Sequence, residues 1–279
     1  MKNRPIGIFD SGVGGLTVLS QLIEAFPQES FIYFGDNERA PYGNKTIPEL
    51  MQINKEIIQF LDAQEIKMLV MACNTSCATV LDTLLPYVTT PITGLISPAV
   101  RAAALATRNR KIVVLATFNT VRSHFYQKSL LAADGSFTVT EIACPEWVPL
   151  VESNQLNSPQ AKQTADYYAQ LIRDSGADTV IYGCSHFPYF HPLLAPELPQ
   201  DIVFVDPARA IIPEVRHQLG QLHSNPTEPT LEFVVSGDTE SFERTVLQIL
   251  PHHHYSIRRH SFLNSTSPKF TSETGKRHE

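Results

Sequence analysis

The chain has 279 residues, enough for two domains at roughly 150 residues each or for one large α/β unit. Apolar residues make up 43% of it, so wholesale disorder is excluded, and no uninterrupted apolar run approaches the roughly 18 residues of a membrane span. With 22 basic against 28 acidic residues the formal net charge is −6, which offers no general attraction for a phosphate backbone, so no nucleic-acid partner is expected.

A strand-like run begins within five residues of Met1, leaving no room for the apolar stretch of a signal peptide. A cytoplasmic protein with reduced thiols is therefore expected. Short apolar runs predict strands at 5–9, 31–34, 67–71, 112–115, 137–142, 179–182, 202–205 and 233–235. Apolar spacings of three and four predict helices at 16–26, 47–64, 161–175 and 208–222. The apolar stretch at 92–107 is interrupted by Pro98 and Arg101. Alternating elements with β-branched strands apolar on both faces predict an α/β protein, doubly wound, with mainly parallel sheets.

A weak internal repeat divides the chain. The run from Arg4 through DSGVGG matches in character the run from Arg110 through LATFNT; FIYFGD at 31–36 matches FTVTEI at 137–142; and LVMACNT ending at Thr75 matches VIYGCSH ending at His186. Two similar α/β domains are expected, a discontinuous one over 1–96 plus 207–255 and another over 97–206, with the active site in the cleft between them. The tail 256–279 lacks apolar periodicity and is expected to be disordered. HSNPTEPT at 223–230 reads as a loop, and His252, His253 and His254 as a surface turn, since three adjacent histidines cannot all face one ion. No metal site is expected.

Chemistry concentrates where strands end. DSGVGG at 10–15 joins a strand to a helix, a place where glycines let the backbone approach a ligand closely and the helix N-terminus favours an anion. It lacks the Gly-Lys-Ser/Thr of a P-loop, and Gly12 stands where an aspartyl-nucleophile phosphatase needs a second aspartate. Cys73 and Cys184 each follow a buried-type strand, at matched places in the two halves, and ligands of α/β sheets bind outside the carboxyl ends of strands. Cys77, one turn beyond Cys73, and Cys144, before Pro145, suit core or supporting roles. A redox pair would use two such thiols. So would inversion of a stereocentre, one thiol removing a proton while the other supplies one to the opposite face. A thiol of pKa about 8.5 is only about 3% thiolate at neutral pH, so each needs a proton partner. Asp10, at a neighbouring strand end, is the candidate beside Cys73, and His186 the candidate beside Cys184. A pyridoxal cofactor is not expected, because Lys67 and Lys111 lie at strand starts.

Together DSGVGGLTV at 10–18, GDNERAPYG at 35–43, CNT at 73–75, CPEWVPLVE at 144–152, GCSH at 183–186 and SGD at 236–238 resemble the glutamate racemases of the cofactor-independent aspartate/glutamate racemase superfamily. The resemblance runs from about residue 5 to 250. It implies that Cys73 and Cys184 are the two proton donor/acceptors, the first acting on D-glutamate and the second on L-glutamate, with no cofactor. It further implies substrate contacts at Asp10, Ser11, Tyr42, Gly43, Asn74, Thr75, Ser185 and His186, a threonine pair at Thr117 and Thr120 around the α-carboxylate, and Glu152 orienting His186. The product would be D-glutamate for peptidoglycan. The family more often has CNTAS and GCTHYP; CNTSC and GCSHFP here keep the hydroxyl and the ring. His186, rather than an acidic residue, favours glutamate over aspartate. A racemase for aspartate or a hydantoin, or a two-lobed amino-acid-binding protein, are the competing readings, and a homodimer is left open.

Overall fold

A computed structural model describes residues 4–220 and 228–262. In chain order these form β1 (Ile6–Asp10), α1 (Leu16–Ala25), β2 (Phe31–Gly35), α2 (Ile47–Asp62), β3 (Met68–Met71), α3 (Asn74–Thr79), α4 (Leu81–Leu84), β4 (Ile92–Gly94), α5 (Ile96–Ala106) and β5 (Lys111–Ala116). There follow α6 (Phe118–Ser123), α7 (Phe125–Ala133), β6 (Thr138–Ala143), α8 (Trp147–Glu152), α9 (Pro159–Ser175), β7 (Thr179–Gly183), α10 (His191–Leu194) and β8 (Val203–Val205). The last are α11 (Pro207–Ala210), α12 (Ile212–Gly220), β9 (Leu231–Val235), α13 (Thr239–Ile249) and β10 (Ser256–Arg259).

The strands build two sheets, both parallel throughout: β10-β9-β2-β1-β3-β4 and β6-β5-β7-β8. β1, β2, β3 and β7 are buried along their whole length, as two-sided helical cover requires. Helix ends carry the expected signals. Thr46 and Glu49 close a reciprocal capping box on α2, Ser158 caps α9 ahead of Pro159, and Gly176 ends α9 at φ +64°.

Register decides where the chemistry goes. Asp10 pairs with Gly35 and Phe9 with Met71, so Asp10, Asp36 and Cys73 leave the first sheet along one edge. Ala116 pairs with both Ala143 and Gly183, which puts Thr117, Cys144 and Cys184 along one edge of the second.

Several expectations change. The stretch 92–107 holds β4 and α5, with Pro98 in the first helical turn, where its missing N–H is no loss. The predicted helix 208–222 breaks into α11 and α12, and 221–222 lie outside the described residues. The tail is not structureless from Ser256, and 263–279 lie outside the described residues. β10 adds an edge strand to β9, with Ile257 packed on the core and Arg258 and Arg259 paired to Glu232 and Glu38. A charged edge strand of four residues gives no apolar period to read. Of the predicted loop 223–230, only 228–230 are described, without regular structure. His252, His253 and His254 are exposed at a turn. Among the described residues no helix is long and apolar enough to cross a membrane.

Candidate active site

A cleft of about 550 Å³, measured out to its mouth, lies where the two strand edges meet. Its lining brings together Ser11, Tyr42, Gly43, Cys73, Asn74, Thr75, Thr117, Cys184, Ser185 and His186, ten of the residues expected from sequence. Asp10, Thr120 and Glu152 stand behind this lining. The wall is completed by Pro41, Asn44, Phe118, Cys144, Pro145, Val148 and Pro149. Among the described residues no lysine or arginine lines it, so an acidic ligand would meet hydroxyls, amides, backbone N–H groups and one imidazole.

Cys184 follows β7, its Sγ 3.8 Å from Nδ1 of His186, and Nε2 of His186 lies 2.6 Å from Oε1 of Glu152. Because the carboxylate accepts from Nε2–H, the neutral ring presents Nδ1 as an acceptor toward the thiol. Burial pulls the His186 pKa down, but the hydrogen bonds and charges of Cys184 and Glu152 outweigh it and hold the imidazole well above its ordinary value. Trp147 locks this pair. Fully buried at the start of α8, it stacks on Phe190 at 4.2 Å and meets Phe187 edge-on at 4.9 Å. It thereby joins the helix that ends in Glu152 to the turn that follows His186.

Past Ser11, which lines the cleft, the DSGVGG loop packs against this relay. A Cβ on Gly12 would sit 2.0 Å from Oε1 of Glu152, and one on Gly14 would sit 2.2 Å from Nδ1 of His186. The Val13 N–H donates to the same Oε1 at 2.9 Å. These two glycines serve a close approach between the halves.

Asp10 is fully buried, and its carboxylate is occupied: Oδ2 accepts the Gly12 and Gly15 N–H groups at 3.1 and 3.0 Å, and Oδ1 accepts the Ser185 hydroxyl at 3.0 Å. Burial raises its pKa against the opposing pull of His186 and those N–H groups. Cys73 occupies the N-cap position of α3 without a side-chain capping hydrogen bond. Burial pushes its thiol well up, Asp10's charge pushes it further, and hydrogen bonding at Ser76 opposes both. Cys77, hydrogen-bonded to the Met71 carbonyl at 3.3 Å, is pushed up to about 12 by burial. Cys144 is fully buried yet backs the cleft wall.

On the other wall, hydroxyls form a chain in which Thr75 and Thr117 are 2.9 Å apart and Thr117 and Thr120 3.0 Å apart. Thr117 is also the N-cap of α6. Three groups were missed by sequence reading. Asn119 donates to the carbonyls of Tyr42 and Lys45, tying the 41–45 segment to α6. Asp36, fully buried, accepts from the Tyr42 hydroxyl and from Arg39, which also pairs with Glu56. Tyr126 bonds Asn74. Only Asp36 carried a signal, as an acid just past a strand end.

The Asp/Glu/Hydantoin racemase family model matches residues 6–215. A glutamate racemase of Trichodesmium erythraeum is 40% identical over 251 residues, 89% of this chain and 92% of the relative. Among solved structures, a glutamate racemase isoform of Bacillus anthracis aligns at TM-score 0.89 with 32% identity, covering 94% of this chain and 99% of its own. The glutamate racemase of Francisella tularensis in complex with D-glutamate aligns at TM-score 0.85 with 27% identity, covering 94% and 98%.

Proposed function

The chain belongs to the Asp/Glu/hydantoin racemase family and is an isomerase of that family; from that premise we propose that it interconverts L- and D-glutamate by a two-thiol proton transfer at Cα. The observation that carries the mechanism is the placement of Cys73 and Cys184 on one cleft, each at the end of a strand of a different sheet. The relatives that match over most of both chains are glutamate racemases, and one structural neighbour holds D-glutamate, which supports the substrate. The working units in this reading are 1–96 plus 207–255 and 97–206, each presenting one thiol.

From L-glutamate, the Cys184 thiolate takes the Cα proton as the Cα–H bond breaks, and the Cys73 S–H delivers a proton to the opposite face. D-Glutamate leaves with Cys184 as thiol and Cys73 as thiolate. Transfer of a proton between the thiols and their partners, or reaction in reverse, resets the enzyme. His186, oriented by Glu152, takes the Cys184 proton, and the imidazolium so formed stabilises the thiolate beside it. Ser11, Tyr42, Gly43, Asn74, Thr75 and Ser185 hold the substrate, with Thr117 backed by Thr120 at the α-carboxylate. The product supplies D-glutamate for peptidoglycan, in the cytoplasm. Incubation with L-glutamate in D₂O tests the reading: exchange of the α-proton with appearance of D-glutamate is expected. Exchange on aspartate or a hydantoin alone would transfer the activity to another member's substrate, and no exchange would leave only a binding protein.

A further inference from the structure

Tyr126 lies outside every motif read from the sequence, yet it is fully buried and its hydroxyl donates to Oδ1 of Asn74 at 2.7 Å. The partners come from different helices. Asn74 opens α3 just after Cys73, whereas Tyr126 sits in the first turn of α7, which packs on α3 as well as on α5, α6 and β6. A primary amide has one accepting end and one donating end. With the accepting end taken by the phenol, Nδ2 is buried at the cleft with no protein partner among the described residues. Native structures leave few buried donors unpaired, and those they leave call for an explanation. Asn74 is 2% exposed, so bulk water is a poor candidate for the missing acceptor. Burial also pushes the Tyr126 phenol well above its ordinary pKa, so it remains an O–H donor throughout the neutral range.

We infer that Tyr126 is a positioning residue for substrate binding, locking the Asn74 amide with Nδ2 turned to the cleft as a donor to a carboxylate oxygen of the bound amino acid. The inference rests on the proposed function in taking that carboxylate to be glutamate's. With the amide reversed, a carbonyl oxygen would face the carboxylate and repel it. The bond joins α7 to α3, which pack directly on each other, so the donor is held by the packing of these two helices.

A double-mutant cycle of Tyr126→Phe, Asn74→Ala and the pair tests this, read by calorimetric binding of D-glutamate and by KM and kcat. Tyr126→Phe should weaken binding and raise KM by about fivefold to tenfold, the scale of a neutral hydrogen bond, with kcat changed by less than about twofold. In the Asn74→Ala background it should add less than about twofold. Asn74→Asp, which presents an acceptor, should bind more weakly than Asn74→Ala. Additive effects in the cycle, or an unchanged KM in Tyr126→Phe, would overturn the inference. Should Tyr126→Phe fail to fold, the Asn74 side-chain amide resonances of the wild type decide; they must shift when D-glutamate is added, and unshifted signals overturn it. Wild-type protein that binds D-glutamate without racemising it overturns the proposed function and leaves the cycle readable in binding. Wild-type protein that racemises glutamate but gives an additive cycle overturns only the role of Tyr126. Failure to bind D-glutamate overturns both.

Discussion

Cys73 and Cys184 leave equivalent strand ends of two parallel sheets, yet their surroundings differ in kind. Beside Cys184 stands a relay of thiol, imidazole and carboxylate, with contacts of 3.8 and 2.6 Å. Beside Cys73 there is a buried carboxylate, Asp10, whose oxygens are already held by two N–H groups and the Ser185 hydroxyl. Among the described residues no hydrogen bond joins Asp10 to Cys73, and its charge raises the thiol's pKa rather than lowering it. Strand topology thus fixes where a thiol stands, while the residues just past the strand end fix how readily its proton leaves. In the proposed reaction the two directions share one barrier sequence but begin from chemically different bases.

The strongest way to break the comparison is to remove either thiol. Cys73→Ala and Cys184→Ala should each lower racemisation by about 10³-fold or more, since inversion needs an acid and a base on opposite faces. Cys→Ser variants should also be crippled, because a serine hydroxyl ionises far less readily than a thiol. A single alanine variant that kept racemising within about tenfold of wild type would end the two-thiol mechanism.

Next in size are the helpers. His186→Asn should slow the reaction by about 10²-fold. The equilibrium between enantiomers lies near unity, so kcat/KM must fall equally in both directions, and the asymmetry shows only in individual steps. Primary isotope effects measured separately from each enantiomer resolve it. With His186→Asn the effect on Cα–H cleavage from L-glutamate should grow, because proton removal by Cys184 becomes more limiting; with Asp10→Asn the growth should come from D-glutamate. Isotope effects unchanged from both enantiomers in both variants would reduce Asp10 and His186 to binding or orientation.

Much of this asymmetry was legible in the sequence, and the reason is the periodicity of strands. IGIFD, MLVM and TVIYG are apolar on both faces, so their ends, and with them Asp10, Cys73 and Cys184, could be located without coordinates. His186 sits two residues from its thiol and was equally accessible. Glu152 entered only through the family resemblance, since nothing at 144–152 announces that α8 turns its last residue onto an imidazole 34 positions away. Asn119 and Tyr126 are out of reach for the same reason: each bonds a partner 52 to 77 positions distant, and no local pattern encodes such a pairing. β4 and β10, of three and four residues, are too short for a period to appear. The glycines of DSGVGG were read as room for a ligand, whereas Gly12 and Gly14 give room to Glu152 and His186.

Glu152→Gln sharpens the comparison more gently, since it keeps a side chain of the same size beside Nε2 but removes the charge. About a tenfold loss of kcat is expected, consistent with a partner that orients the ring and stabilises its cation. The stability effect has a definite sign. The His186 pKa is raised in the folded protein, so its contribution is complete below the unfolded value of about 6.5 and is lost as pH rises through the raised value. The gap in unfolding free energy between wild type and Glu152→Gln should therefore be widest at about pH 5–6.5 and narrow at higher pH. Denaturant titrations across that range read it directly, and a gap that widened with pH would contradict the assigned ion pair.

The smallest effect is expected at Ser185, one of the side chains through which the two regions touch. Its hydroxyl donates to Oδ1 of Asp10 at 3.0 Å and lies 3.4 Å from Nδ1 of His186, so it stands between the carboxylate of one side and the imidazole of the other. Ser185→Thr keeps the hydroxyl, so kcat/KM should stay within about twofold of wild type. Ser185→Ala removes one of three donors to a fully buried carboxylate. A hydrogen bond to a charged group contributes about 1.5–3 kcal/mol, and losing it should lift the already raised Asp10 pKa further. If Asp10 acts in its ionised form on the Cys73 side, Ser185→Ala should leave the isotope effect from L-glutamate near its wild-type value and enlarge the one from D-glutamate, most clearly toward acidic pH where Asp10 first takes up its proton. Equal growth from both enantiomers would mean that Ser185 serves the two thiols alike, and the division of labour between Asp10 and His186 would have to be redrawn at the residue that joins them.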